Sequence, residues 1–419
     1  MIHEPEPDSR TPYSPAMSVQ PAPGSYAPTG PRPQWPILRK KQVFVVPIIA
    51  IAVGAIVMTI LILIAVLPTP PIGILAVVIS ALASAVGIFL LIWLDRWEPE
   101  PPHLLISAFF WGAGVSVLFV FLISPVLALV GGSGDFFGAV ISAPLVEESG
   151  KGLFLVLVLL VTRRGRAEFS SLTDALVYAG FVGIGFSFVE DMLYISGQES
   201  VSGALTVAGL RIGLGAWAHS IYTAMTAIGL WLAVSQRGPS RYVWPFVGWA
   251  VAVMLHAIHN GSAFLGLGAW ALSLLLFSLP AFIVFVLIAV RSHRREGKVI
   301  QGQIPIMVYN GWITPDEANW LGNHRSRRMA LAHAKSQGSV ERKRVAGFRD
   351  NVTELAFVRD RLDRMGPPYS PELMQQHDEL VGIINANKEW VQQQLAPAPQ
   401  GWQPMPSQPG LDYRGPGMP

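Results

Sequence analysis

Long apolar runs alternate with short polar breaks along most of this chain, and the pattern predicts eight membrane-spanning helices. A helix needs about 20 consecutive apolar residues to cross the hydrocarbon core of a bilayer. The runs that reach this length lie near residues 43–67, 72–94, 104–130, 137–161, 172–195, 212–234, 242–264 and 269–290. We therefore predict an all-α fold, a polytopic transmembrane helix bundle of about eight spans.

The segments that flank these runs are too polar to enter lipid. Residues 1–38 and 396–419 are rich in Pro, Gly and Ser, a composition typical of disordered tails. Residues 299–395 are predicted to form a small cytoplasmic helical appendage to the transmembrane core at 39–298. Its candidate helices lie near residues 315–335, 340–364 and 371–395, and the first and third begin with the cap-proline pairs Thr314-Pro315 and Ser370-Pro371.

The composition agrees with a membrane protein and limits the possible catalytic groups. Hydrophobic residues make up 51% of the 419 residues, and charged residues make up 14%. The chain has no cysteine, which excludes disulfides and thiolate catalysis. The net charge of +3 comes mainly from arginines beside the apolar runs and in the C-terminal third. This distribution indicates contact with a membrane surface, and we expect no nucleic-acid partner.

The positions of lysine and arginine predict the orientation of the bundle. Basic clusters precede span one and follow spans four, six and eight, at "RKK" 39–41, "RRGR" 163–166, Arg237 with Arg241, and "RSHRREGK" 291–298. These clusters all fall on one side, which the positive-inside rule assigns to the cytoplasm. The opposite loops carry almost no positive charge, Arg211 being the exception. Both termini are therefore expected to be cytoplasmic.

Ionisable side chains interrupt four of the predicted spans. They are Glu147, Glu148 and Lys151 in span four, Glu190 and Asp191 in span five, His219 in span six, and His256 and His259 in span seven. Such residues are costly in lipid and usually face the interior of a bundle. Helical rise places Glu147, Glu190, His219 and His256 in the outer half of the membrane, which favours one shared site. Asp191 points away from Glu190 around the helix and is expected near the outer interface.

Carboxylates and imidazoles in a sheltered cavity have two established uses in amide hydrolysis. They can ligate a divalent metal, or they can activate water directly, and neither route needs a Ser or Cys nucleophile. Small residues at positions 180, 183 and 185 of span five, and 213, 215, 216 and 218 of span six, would allow the helices to approach closely. The residues alone therefore favour one shared site inside the membrane that could ligate a metal or activate water.

The motifs that carry these residues resemble a known family. "EESGK" at 147–151, "FSFVED" at 186–191, "HSIYT" at 219–223 and "HAIHN" at 256–260 are similar to the EExxK, FxxxE and histidine motifs of the PrsW family of bacterial intramembrane proteases. "DRWEPEPP" at 95–102 looks like the stretch before that family's core. The family is similar in turn to the CAAX prenyl protease and bacteriocin-processing superfamily, whose second motif usually ends in histidine where this chain has Glu190.

The resemblance implies an intramembrane endopeptidase of the bacterial inner membrane that makes a site-1-type cut in a membrane-anchored substrate, such as a single-span anti-sigma factor. The implied catalytic residues are Glu147, Glu148, Glu190, His219, His256 and Asn260, with Lys151, Phe186 and Thr223 in supporting positions. If the enzyme uses a metal such as Zn²⁺, the expected ligands are Glu148, Glu190, His219 and His256. Water activated by a glutamate without metal is the alternative.

Two other functional classes also fit buried acids and histidines. A proton- or cation-coupled transporter or channel would use them along an ion pathway, but that class predicts related halves, and no internal repeat is evident. A non-catalytic membrane scaffold would use the buried polar groups only to specify packing, and its helical appendage would recruit partners.

Overall fold

The computed structural model describes residues 45–395, apart from residues 133, 162–168, 170, 216, 237 and 368. Helices and no strands make up the regular structure of this part of the chain, which confirms the predicted all-α class. The predicted disordered tails, the basic clusters at 39–41 and 163–166, Ala216 and Arg237 lie outside the described residues.

Apolar helices form the first two thirds of the described chain. We number them α1 (Val45–Val66), α2 (Pro70–Leu94), α3 (Pro102–Gly131), α4 (Ala143–Val161), α5 (Leu172–Ser196), α6 (Val201–Gly215), α7 (Ala218–Ser235), α8 (Trp244–Phe264) and α9 (Leu267–Tyr309). Within the described residues, seven helical segments are long and apolar enough to cross a membrane. The helix predicted at 137–161 is present as α4, but Glu147, Glu148 and Lys151 make it too polar to count among the seven.

The region before α7 differs from the sequence-based expectation. The pattern predicted a loop followed by a span from residue 212, whereas α6 occupies Val201–Gly215 and the next helix begins at Ala218. Gly213 and Gly215 therefore lie at the end of α6, where a Cβ would meet no atom within 4 Å. They do not mediate the close helix contact that was expected of them.

Helix α5 is the central element of the bundle, and its residues are almost entirely buried. Ser171 begins it with a capping box, in which the hydroxyl accepts from the Asp174 amide while the Asp174 carboxylate accepts from the Ser171 amide. At Gly183 a Cβ would lie 2.5 Å from the backbone nitrogen and Cα of Ser220. Glycine therefore allows α5 and α7 to pack backbone against backbone.

The C-terminal helices form a second buried core. They are α10 (Pro315–Leu321), α11 (His324–Gln337), α12 (Ser339–Met365) and α13 (Pro371–Leu395). Thr314 caps α10 with Pro315 in its first turn, as the sequence predicted. The boundary predicted at residue 298 falls inside α9, so one continuous helix connects the membrane bundle with this second core. Trp97, from the turn after α2, packs into that core.

A buried arginine forms hydrogen bonds that connect the second core with the membrane bundle. Arg327 donates to the carbonyl of Trp97 at 3.0 Å, to the carbonyl of Leu321 at 2.6 Å and to the hydroxyl of Thr353 at 3.1 Å. Its guanidinium lies 5.1 Å from the centre of the Trp97 ring. These contacts satisfy the donors of a buried charged group and fix the turn after α2 against α11 and α12.

Candidate active site

The candidate active site lies where α4, α5, α7 and α8 meet inside the bundle. Glu147, Glu148 and Lys151 share one side of α4, because residues three and four positions apart are neighbours on a helix surface. His219 lies in the first turn of α7, and His256 lies past the middle of α8. All five side chains are buried, so their charges must be compensated by one another.

The ammonium of Lys151 lies between the two carboxylates and His219. It donates to Glu148 Oε1 at 2.8 Å and to Glu147 Oε2 at 3.3 Å, and it lies 2.8 Å from Nδ1 of His219. It also lies 3.8 Å from the centre of the Phe186 ring. The sequence predicted the pair of Glu147 with Lys151, and the structure adds a shorter contact with Glu148. One ammonium thus compensates part of the charge of two adjacent buried carboxylates.

His256 contacts both glutamates. Its Nδ1 lies 3.0 Å from Glu148 Oε1, and its Nε2 lies 3.8 Å from Glu147 Oε2. Because a carboxylate can only accept, Nδ1 donates to Glu148. The ring of Tyr222 stacks on His256 at 5.1 Å between centres. Sequence reasoning did not select Tyr222, although it lies inside the "HSIYT" motif.

His219 links Lys151 to Glu190. Its Nε2 lies 2.5 Å from Glu190 Oε2, on the opposite side of the ring from Lys151. Because an ammonium has only donors, Nδ1 of a neutral His219 accepts from Lys151, and Nε2 donates its proton to Glu190. Glu190 therefore fixes the orientation of the ring, while the lone pair of Nδ1 is directed into the site.

Arg211 contacts Glu190 beside the candidate site, and sequence reasoning did not select it. Its Nη2 donates to Glu190 Oε2 at 2.7 Å, and its Nε donates to Asp191 Oδ1 at 2.7 Å. Asp191 is buried against this arginine, next to the site that Glu190 faces. The available signal was the position of Arg211 as the exceptional basic residue in the predicted outer loops. Its role could not be recognised while α6 was assigned as a loop.

Four side chains form a group that could hold a metal ion. In the described part of the chain, Glu147, Glu148, His219 and His256 each offer one ligand atom within 4.8 Å of the others. Three of the four ligands expected from sequence are in this group. Glu190 is not, because its carboxylate binds His219 and Arg211, and Glu147 takes its place.

The donor types of this group fit zinc, but Lys151 competes with an ion for the same atoms. Zinc binds imidazole nitrogen and carboxylate oxygen. The Lys151 ammonium already contacts three of the four donor side chains at 2.8–3.3 Å. A divalent ion and an ammonium 4 Å apart would repel each other by roughly 8 kcal/mol at an effective dielectric constant of 20. The side chains as arranged therefore satisfy an ammonium, and an ion would fit only after Lys151 had moved.

The remaining predicted residues lie around this group. Thr223 directs its hydroxyl toward Glu148 Oε2 at a long 3.5 Å. Phe186 packs with its ring centre 5.0 Å from that of His219. Asn260 donates from Nδ2 to the carbonyl of Ala139 at 2.9 Å, in the π-helical segment Phe137–Ser142 that leads into α4. Asn260 thus holds α8 to that segment, and one of its two amide protons is engaged outside the acid-histidine group.

Comparisons with known proteins cover the region that contains these residues. Residues 100–290 match the model of a family described as PrsW family intramembrane metalloprotease. This match and two curated relatives support a PrsW family intramembrane protease. It is 26% identical over 187 residues to Protease PrsW of Bacillus subtilis (strain 168), covering 44% of this chain and 81% of that relative. It is 28% identical over 183 residues to Protease PrsW of Clostridioides difficile (strain 630), covering 42% of this chain and 73% of that relative. No solved structure matches the chain.

The family match indicates the reaction class of the protein. The chain is an intramembrane peptidase in a multi-pass membrane protein. The match spans α4, α5, α7 and α8, the helices that supply the acids and histidines, and it ends within α9. The helices α10–α13 lie beyond the matched region.

Proposed function

We propose that this PrsW family protein hydrolyses a peptide bond of a membrane-anchored protein with water activated by a glutamate. The observation that carries the proposal is the convergence of Glu147, Glu148, His219 and His256 from three helices into one buried group. Two carboxylates and two imidazoles supply a proton acceptor and hydrogen-bonding groups at one locus, which hydrolysis without a covalent nucleophile requires.

The contacts favour different roles for the two glutamates. Glu148 is fully buried, and it is bound by Lys151 at 2.8 Å and by His256 at 3.0 Å. Glu147 has the longer contacts, at 3.3 Å to Lys151 and 3.8 Å to His256. We assign Glu147 as the general base that takes a proton from the attacking water. Glu148 holds Lys151 and His256 in place through these two contacts.

A metal-assisted version uses the same side chains. Glu147, Glu148, His219 and His256 would hold the ion, which would act as a Lewis acid and increase the acidity of water. His219 suits this role because Glu190 orients its ring through Nε2, which is the common arrangement around metal-binding histidines.

The substrate class and the orientation follow from the sequence and the family. We propose a bacterial inner-membrane location with both termini in the cytoplasm, because the basic clusters lie on one predicted side. The substrate is a single-span membrane protein of the anti-sigma-factor type, cut near its outer membrane boundary. The position of Glu147, roughly 15 Å below the outer surface by helical rise, supports that location.

The test is a cleavage assay in cells. An epitope-tagged single-span anti-sigma factor is co-expressed with the wild-type protein, with Glu147→Gln, with Glu148→Gln and with the control Glu199→Gln, which alters an exposed acid after α5. Loss of a general base lowers hydrolysis about 10²- to 10⁴-fold. We expect fragment only with wild type and the control. Equal fragment yields in all four strains, at equal protein abundance, would exclude hydrolysis by this site and favour a transporter or scaffold.

A further inference from the structure

We propose that Lys151 occupies the cation position of the acid-histidine group, so that a divalent metal can bind only when the ammonium of Lys151 leaves. The first observation is the choice of partners. Lys151 directs its ammonium to Glu148, Glu147 and His219, which are three of the four residues able to hold an ion. Its side chain is fully buried among these acceptors.

The second observation is the orientation of His219. A metal-binding histidine usually directs one ring nitrogen at the ion and donates the N–H of the other to a carboxylate. His219 donates from Nε2 to Glu190, so Nδ1 is the nitrogen left for an ion. The Lys151 ammonium lies 2.8 Å from this Nδ1. An ion and Lys151 would thus require the same lone pair.

The third observation is the charge of the group. Lys151 supplies a positive charge to the adjacent carboxyl groups of Glu147 and Glu148. An ion added beside the ammonium would meet repulsion in a buried, poorly screened site, whereas an ion that replaced it would keep the carboxylates compensated. The group therefore has two alternative cations, one covalently attached and one from solution. This inference concerns binding alone and stands whether or not the proposed hydrolysis is correct.

Zinc binding to the purified full-length protein in detergent tests the inference without any substrate. We compare wild type with Lys151→Met and Lys151→Gln, which remove the charge, and with Lys151→Arg, which keeps it. Lys298→Met serves as the control, because Lys298 is an exposed lysine of α9. Changes to groups around a metal site alter affinity by about 10- to 100-fold. We expect the two uncharged variants to bind Zn²⁺ at least about tenfold more tightly than wild type, Lys151→Arg and Lys298→Met.

A double variant identifies the site that gains zinc. Adding Glu148→Gln to Lys151→Met should abolish the gain in affinity, since it removes a donor of the same group. Equal zinc affinity in wild type and both uncharged variants, or a loss of zinc on removing Lys151, would overturn the inference. A gain that persists in the double variant would overturn it as well.

If the uncharged variants do not accumulate, analysis of metal bound to the wild-type protein tests the inference. Wild type purified without chelator and analysed for bound metal should then hold zinc weakly and lose it on brief exposure to a chelator. Stoichiometric zinc that resists the chelator would overturn the inference, because it would show an ion coexisting with Lys151. Accumulation of the uncharged variants only in zinc-supplemented medium would support it.

Discussion

Arg211 and Glu190 form an ion pair at 2.7 Å that joins α6 to α5 beside His219, the histidine of α7 in the candidate active site. The same carboxylate oxygen of Glu190 accepts from Nε2 of His219. A residue outside the acid-histidine group thereby controls the position of a residue inside it, through one shared acceptor.

Removal of Arg211 should impair catalysis more than folding. In Arg211→Met, Glu190 loses the partner that fixes it, so His219 is less well oriented. Loss of such an orienting group lowers activity about 10- to 100-fold. The measurement is kcat and KM on a single-span substrate reporter, and we expect the decrease in kcat with little change in KM. Arg291→Met, at an exposed arginine of α9, is the control. A variant with normal kcat and raised KM would instead make Arg211 a substrate-binding residue.

The two acids bound by Arg211 should differ in importance. Glu190 contacts both Arg211 and His219, whereas Asp191 contacts Arg211 through its Oδ1. Glu190→Gln should therefore reduce kcat further than Asp191→Asn, by about tenfold or more if orientation of His219 matters. Parallel cleavage assays at matched protein abundance check the order. If Asp191→Asn were the more damaging change, the link through His219 would be wrong.

Gly183 should be intolerant of even a methyl group. A Cβ at this position would lie 2.5 Å from backbone atoms of Ser220, which cannot rotate away. Gly183→Ala must push α5 from α7 and displace the neighbouring His219. A displacement of about 1 Å can cost roughly 100-fold in rate. Gly209→Ala in α6 is the matched control, because its Cβ would meet no atom within 4 Å. Equal activity of the two variants would contradict this account of the packing.

The contact between Trp97 and His324 should make the protein sensitive to acid. Burial and, to a smaller extent, the positive charges of Arg96 and Arg327 lower the pKa of His324 to about 4. The unfolded histidine has a pKa near 6.5, so the unfolded state binds more protons between these values. Stability is therefore full above pH 6.5 and falls as the pH drops toward 4.

His324→Phe should weaken this acid sensitivity, because phenylalanine keeps a ring against Trp97 but does not titrate. The His324 and Trp97 ring centres lie 3.6 Å apart. The measurement is the thermal midpoint of detergent-solubilised protein from pH 8 to pH 5, with His333→Phe on the same helix as the control. A fall in midpoint that is as steep in His324→Phe as in wild type would assign the sensitivity to other groups.

Much of the candidate site could be predicted from the sequence, because helical spacing is regular. Glu147, Glu148 and Lys151 had to share one side of a helix, and their cost in lipid required them to face inward. His219 and His256 were selected by the same argument, and both lie in the group. Asn260 was also selected, yet its amide binds the Ala139 carbonyl, because the partner of a side chain depends on which turn packs beside it.

The sequence by itself determined the helices and the polar residues that must avoid lipid. In a membrane, the backbone N–H and C=O groups of a helix hydrogen-bond within that helix. The length of an apolar run therefore determines locally where a membrane helix forms. Only the tertiary structure decided which charged groups meet. The packing of α6 brings Arg211 to Glu190, and the close approach at Gly183 sets His219. The contacts of Glu190 with Arg211 and His219 leave Glu147 as the fourth member of the group. Such choices depend on distances between separate helices, and no local pattern along the chain encodes them.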